Sequence, residues 1–188
     1  AAADALKRGR ILLNQGQAEA ALRAFDVATS AAGPPPGAWL GRGECLLRLK
    51  RPAEAAEALG RALEAEPASP RLWHLRGEAQ AAAGRGDWAL RSFDRAAELD
   101  PKNPVHWVAR GQVLAGLGRF QEALSSFEIA LQADPRAPLA KFHKAQVEER
   151  LGDVGEAVRA YQQFLALAPG HLAGHLQHAR QRLEALRG

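Results

Sequence analysis

Three sets of side chains in this sequence have types and spacings that chemistry could use. His171, His175 and His178 stand four and three residues apart, which on a helix sets three imidazoles on one face, an arrangement able to hold a metal ion. No carboxylate or cysteine joins them, so packing or solvation is the expected role. His74 and Glu78 are four apart and could work as acid and base. No nucleophile, phosphate-cradling loop or second catalytic carboxylate at a recognisable spacing accompanies them. The reading is therefore non-enzymatic, with no cofactor and no metal. The third set is a ladder of cations, Arg8, Arg42, Arg76, Arg110 and Lys144, separated by one constant interval, with His178 beyond it. A row of charges could follow a nucleic-acid backbone. Acidic residues such as Asp94, Asp100, Glu128 and Asp134 recur too, and no aromatics are interleaved as an exposed stacking surface needs. A structural role is expected for the ladder, with nucleic-acid binding the weaker alternative.

Composition narrows the frame. The chain has 188 residues, 47% hydrophobic and 24% charged, enough to bury a core. No apolar run approaches the ~18 residues of a membrane span, and the start, AAADALKRGR, lacks the apolar block of a secretory signal. A net charge of +4 is too mild to imply nucleic acid by itself. The single cysteine, Cys45, excludes an internal disulfide framework and any cysteine-based metal cluster. Arginine outnumbers lysine 20 to 5, and the Ala, Arg, Gly, Pro and Leu content resembles that of GC-rich bacterial genomes. The absence of methionine points to a processed or excised piece. A cytoplasmic location is the default expectation, with a periplasmic or envelope-associated one left open.

The ladder's interval extends to other columns. Cut at that interval, the rows 2–35, 36–69, 70–103, 104–137 and 138–171 align without insertion. Gly9, Gly43, Gly77, Gly111 and Ala145 fill position 8, and Ala21, Ala55, Ala89, Ala123 and Ala157 fill position 20. Phe25, Leu59, Phe93, Phe127 and Tyr161 fill position 24; Trp39, Trp73 and Trp107 fill position 4. Positions 4, 8 and 11 share one helical face, and positions 20, 24 and 27 share another. Small residues facing large ones let two helix axes approach closely. The glycines cost about 1 kcal/mol each in helix propensity, a cost that close packing must offset. Gly77→Leu or Gly111→Leu should therefore overpack the contact.

Five rows with these columns resemble the tetratricopeptide repeat, a helix–turn–helix unit of about 34 residues, over essentially the whole chain. The resemblance implies an all-α, right-handed solenoid of antiparallel helix pairs, a single domain over 1–188, used chiefly to bind other proteins. Gly16, Gly84, Gly118 and Gly152 mark the reversal within a row, where Lys50 replaces glycine in the second. Pro52, Pro70, Pro104 and Pro138 read as first-turn helix prolines. Leu172, Leu176, Ala179, Leu183 and Leu186 form the apolar stripe of a capping helix over 172–187. At the other end the first helix either caps itself or follows further repeats. Trp88, off the core columns, is expected to cover a neighbouring repeat or else to stand exposed as an anchor.

In this family the first helix of each unit lines the binding groove through positions 2, 5, 6, 9, 12 and 13. The resemblance thus nominates Leu6, Arg10 and Leu13, then Leu40, Glu44 and Leu47, then Arg71, His74, Leu75 and Glu78. The fourth row adds Val105, Val108 and Gln112, and the fifth Leu139, Phe142, His143 and Gln146. Small residues such as Gly37, Gly41 and Ala109 are expected to leave space between them. Members that clamp an acidic chaperone tail carry a Lys, Asn, Asn, Lys, Arg constellation, whereas position 9 here reads Arg10, Glu44, Glu78, Gln112, Gln146. The expected ligand is instead a partner peptide or amphipathic helix. Leu40, Leu75, Val108 and Phe142 would be its apolar anchors, with His74 and Glu78 orienting it. Self-assembly of the chain is the alternative.

Overall fold

The computed structural model describes residues 1–188, which form two compact units, Ala1–Leu99 and Asp100–Gly188. All regular structure is helical. The first unit holds α1 (Ala2–Asn14), α2 (Ala18–Thr29), α3 (Ala38–Arg48), α4 (Pro52–Ala65), α5 (Pro70–Ala82) and α6 (Gly86–Leu99). The second holds α7 (Pro104–Gly116), α8 (Phe120–Ala133), α9 (Pro138–Leu151), α10 (Val154–Leu167), a single 3-10 turn at Gly170–Leu172, and α11 (Ala173–Arg187). Consecutive helices pack as hairpins, and the odd-numbered ones also touch along each unit, α1 on α3 and α7 on α9.

What closes three of the five hairpins is a glycine beneath a ring. A β-carbon on Gly9 would stand 2.9 Å from Phe25, on Gly77 2.7 Å from Phe93, and on Gly111 2.5 Å from Phe127. Gly43 meets Leu59 in the same way at 2.8 Å. Contacts that short are far inside the ~3.5–4.0 Å optimum between carbons, so only hydrogen fits, and the ring buries completely in its place. The helix penalty of these glycines is thus exchanged for large apolar side chains that are almost wholly removed from water. In the first unit Phe25, Leu46, Leu59 and Leu63 join Ala21, Ala28 and Ala55 in one core. In the second, Tyr161, Phe164, Ala179 and Leu183 anchor α10 to α11.

Ends and turns follow from local chemistry. Ser69 accepts a hydrogen bond from the Leu72 amide at 3.3 Å, and Asn103 one from Val105 at 3.1 Å, satisfying first-turn donors ahead of Pro70 and Pro104. At the reversal within a hairpin, Gly84 and Gly118 have φ of +77° and +76°, and Lys50 is forced into the same left-handed region at +56°. The turn geometry therefore belongs to the repeat, not to glycine as such.

Candidate protein-binding faces

In the first unit, the nominated residues of α1, α3 and α5 fall into three groups by exposure. Leu6 and Leu13 are buried at 9% and 5% and belong to the core. Leu40, Leu47, His74 and Leu75 are half-buried, the three leucines lying against that core with one flank turned outward. Arg10, Arg71 and Glu78 are exposed and Glu44 is half-buried. Four of the polar members are already paired: Arg71 donates to Glu44 Oε1 at 2.5 Å, tying α5 to α3, and His74 Nε2 lies 3.4 Å from Glu78 Oε1. The His74 ring also meets Phe93 edge-on, 5.1 Å between centroids. The gap expected at Gly41 is filled, and the one at Gly37 lies against the tip of the Arg10 side chain. A β-carbon at Gly41 would fall 2.2 Å from Phe25, and one at Gly37 2.6 Å from the Arg10 guanidinium. Gly41 therefore serves packing, whereas Gly37, at φ +86°, supplies the left-handed backbone ahead of α3.

In the second unit, α7 and α9 are joined by Gln112 Nε2 and His143 Nε2 at 2.9 Å, while His143 Nδ1 lies 3.0 Å from Gln146 Oε1. Burial holds the His143 imidazole below the ordinary histidine range, against the opposing effect of Gln146, so the ring is neutral at physiological pH. Val105 is exposed at 52%, Gln112 is exposed and Leu139 half-buried. Val108 and Phe142 are buried, at 9% and 4%. This corrects their expected role as anchors, and for Phe142 the reason is plain. Its ring is boxed by Phe164 at 5.1 Å and Tyr161 at 6.1 Å, and covered by His175 and His178 of α11 at 4.9 and 5.5 Å. No partner can reach it without displacing α11.

The model of the tetratricopeptide repeat family matches residues 6–61, 51–104 and 108–171. The chain belongs to the tetratricopeptide repeat family. Similar solved structures include MamA 41-end from Desulfovibrio magneticus RS-1, with a TM-score of 0.80, 17% identity, and coverage of 88% of this chain and 94% of that one. YrrB, described as a TPR protein with an unusual peptide-binding site, gives a TM-score of 0.74 and 22% identity over 94% of this chain and 90% of that one. TTC0263, a thermophilic TPR protein in Thermus thermophilus, gives 0.69 and 24% over 99% and 98%. At these identities the likeness concerns the fold. No curated protein matches the sequence.

The remaining sequence motifs of this tetratricopeptide repeat protein find structural roles. The cation ladder is stacked on the tryptophan column one turn earlier: Arg42 over Trp39 at 6.0 Å, Arg76 over Trp73 at 5.9 Å and Arg110 over Trp107 at 5.9 Å. Arg42 also donates to Asp26 at 2.8 Å, Arg110 to Ser126 at 2.7 Å, and Lys144 pairs with buried Glu148 at 3.4 Å. Arg42, Arg110 and Lys144 are thus engaged within the chain. The fixed offset between positions 4 and 7 was the sequence signal for this stacking. Sequence reasoning also missed Arg48, whose Nη1 donates to the Leu13 carbonyl at 2.7 Å and closes the end of α1. The three histidines do not share a helical face, because His171 lies in the 3-10 turn ahead of α11 while His175 and His178 pack on Phe142. Trp88 is 55% exposed, with Arg91 5.0 Å over its ring, so it covers no neighbouring repeat. No helix is long and apolar enough to cross a membrane.

Proposed function

We propose that this protein is a non-enzymatic interaction scaffold whose first unit binds a partner peptide or amphipathic helix along α3 and α5. The observation that carries this reading is the state of the outward leucines. Leu40, Leu47 and Leu75 remain half-exposed on helices bridged by Arg71 and Glu44, while the polar groups beside them are already satisfied. A guest that covers the leucines gains apolar burial without stranding a donor or acceptor. The helices are ordered beforehand, so little receptor entropy is lost on binding. The second unit offers a smaller surface of the same kind at Val105, Leu139 and the Gln112–His143–Gln146 chain, with Phe142 and Val108 supporting it from beneath.

The test is selection of peptides from a random library on the immobilised protein, followed by calorimetry on the parent and on Leu40→Glu and Leu75→Glu variants whose melting curves show them folded. Loss of affinity by tenfold or more in both variants supports the reading. Unchanged affinity moves the contact off α3 and α5.

A second reading, self-association, is favoured by one feature of the first hairpin. A cleft of about 550 Å³ between α1 and α2 is lined by Ala5, Arg8, Leu12, Ala24 and Val27, and Val27 is 59% exposed. Sedimentation velocity across concentrations on the parent and a Val27→Lys variant tests it. A monomer at every concentration excludes it.

A further inference from the structure

Position 22 of the repeat reads Arg23, Glu57, Arg91, Ser125 and Arg159, so Glu57 is the one acid in its column. It lines a cleft of about 430 Å³ between α2 and the α3–α4 hairpin, together with Asp26, Trp39, Arg42 and Arg61. The charges there are unequally matched. Arg42 donates through Nε to Asp26 Oδ1 at 2.8 Å, and Arg61 lies 3.5 Å from Glu64, which is outside the cleft. Glu57 is exposed and has no hydrogen-bond or ion-pair partner within the chain. With both arginines matched, its carboxylate leaves the cleft one uncompensated negative charge. The equivalent columns of the fifth repeat, in the second unit, line a cleft of about 190 Å³. There Lys141 stands for Trp39, Lys144 for Arg42 and Arg159 for Glu57. Lys141 is held by Gln163 at 3.0 Å, Lys144 by Glu148 at 3.4 Å, and Arg159 by Glu156. Each cation of that smaller cleft is engaged by a neighbour, whereas Glu57 is not.

We propose that the cleft beside Glu57 is a binding site for the guanidinium of an arginine side chain on a partner protein. Room and access are both present. The space of about 430 Å³ falls within the ~300–1,000 Å³ of ligand pockets. The atoms a guest must meet are reachable, since Glu57 is exposed and the Asp26 side chain is 48% accessible. Arg42 takes only Oδ1 of Asp26, which leaves Oδ2 for the guest. Trp39, half-buried, adds an indole to the wall. Arg42 Cζ stands 6.0 Å from its centroid, at the outer edge of cation–π range, and so does not close the ring off. The unanswered charge of Glu57 favours a cation. A planar guanidinium can lie on an indole and donate to carboxylates in one pose, which a compact ammonium cannot match. None of Leu40, Leu47 and Leu75 lines this cleft, so the site is separate from the leucine face and stands or falls independently of it.

The experiment titrates the parent protein with acetylated, amidated Gly-Arg-Gly, with the same peptide carrying citrulline, its uncharged isostere, and with the lysine counterpart. The readout is the NMR resonance of the Trp39 indole N–H. The arginine peptide should move it saturably, and the citrulline peptide should leave it in place. Glu57→Gln should weaken the arginine peptide roughly three- to fivefold, the worth of one part-exposed ion pair. Because Glu57 is exposed and unpaired, this variant keeps the fold. Glu66→Gln removes the same charge from an exposed site outside the cleft and should leave the affinity unchanged. Unchanged affinity in Glu57→Gln, or equal weakening in Glu57→Gln and Glu66→Gln, overturns the proposal. So does citrulline or lysine binding as tightly as arginine, or an indole resonance that the arginine peptide does not move.

Discussion

One substitution, glycine to alanine, should change stability in opposite directions at Gly60 and at Gly111. Both residues lie inside helices, α4 and α7, where alanine is favoured over glycine by about 1 kcal/mol. At Gly60 the new methyl meets nothing closer than 3.5 Å, and what it meets is the Arg76 guanidinium. Gly60→Ala should therefore keep nearly all of the propensity gain and stabilise by about 1 kcal/mol. At Gly111 the methyl would stand 2.5 Å from Phe127 Cε1 and 2.8 Å from Cδ1 and Cζ. Restoring normal contact requires the ring or the helix to retreat by roughly 1 Å. Phe127 is wholly buried, so it has nowhere to swing. That places the overpacking cost in the upper part of the usual ~1–3 kcal/mol. Subtracting the propensity gain leaves Gly111→Ala about 1–2 kcal/mol less stable than the parent.

Urea unfolding followed by far-ultraviolet circular dichroism measures both changes, with the slope of the transition checked for constancy. The fifth repeat offers an internal comparison, because Ala145 already faces Tyr161 with both residues fully buried. A β-carbon is therefore tolerable when the hairpin is built around it, and the α7–α8 hairpin is built without one. A Gly111→Ala protein at least as stable as the parent, or a Gly60→Ala protein less stable, would refute the claim that ring contact is what holds glycine at position 8.

Three further outcomes are expected. Lys50→Gly relieves a left-handed backbone that costs a non-glycine residue roughly 1–2 kcal/mol, less the extra freedom glycine gives the unfolded chain, and should raise stability in urea by about 0.5–1 kcal/mol; an unchanged midpoint means that the turn carries no strain. Cys45 is fully buried, and burial pushes its thiol up to about 11, so a chromogenic disulfide reagent should label it only in step with unfolding; native-state labelling as fast as in denaturant contradicts this. Burial keeps His143 neutral in the fold, whereas the unfolded chain takes up a proton near pH ~6.5, so its contribution is full above that pH and is lost as pH falls through the folded value. His143→Gln should accordingly show a shallower fall in stability than the parent between pH 8 and pH 5, and parallel curves would exclude His143 as a source of the slope.

The constant period made most of the fold readable in the sequence, because columns of small and large residues state which faces meet. Gly77 and Phe93 lie on different helices and meet in space, and both were readable from their columns alone. Columns do not say how far a face is covered by what comes next. Phe142 occupies a groove position by register, yet the turn after α10 brings α11 back over it with two histidines. Gly41 reads as an opening by the same logic, but it belongs to the contact between consecutive hairpins, where Phe25 occupies the space. Trp88 sits at a position where other rows carry alanine or glutamate, and a lone departure from a column gives no direction.

Departures become informative once the partner columns are considered with them. Position 11 holds Leu12, Leu46 and Leu114, but Gln80 in the third repeat and Glu148 in the fifth. A polar side chain in a buried column is stable only if another column changes to meet it. Position 23 does so for Gln80, whose Oε1 accepts from Ser92 at 2.5 Å. In the fifth repeat the same position is Ala160, which has nothing to offer, so Glu148 depends on Lys144 at 3.4 Å along its own helix. Its second oxygen is left without a partner, and burial raises the carboxyl above the ordinary range despite the lysine. The same reasoning exposes Arg76, where position 25 dropped its acid and no other column replaced it. A repeat that mends its own departures, as at Gln80, is maintaining its packing. One that leaves a buried N–H without an acceptor, as at Arg76 Nε, carries a departure that its own columns do not mend.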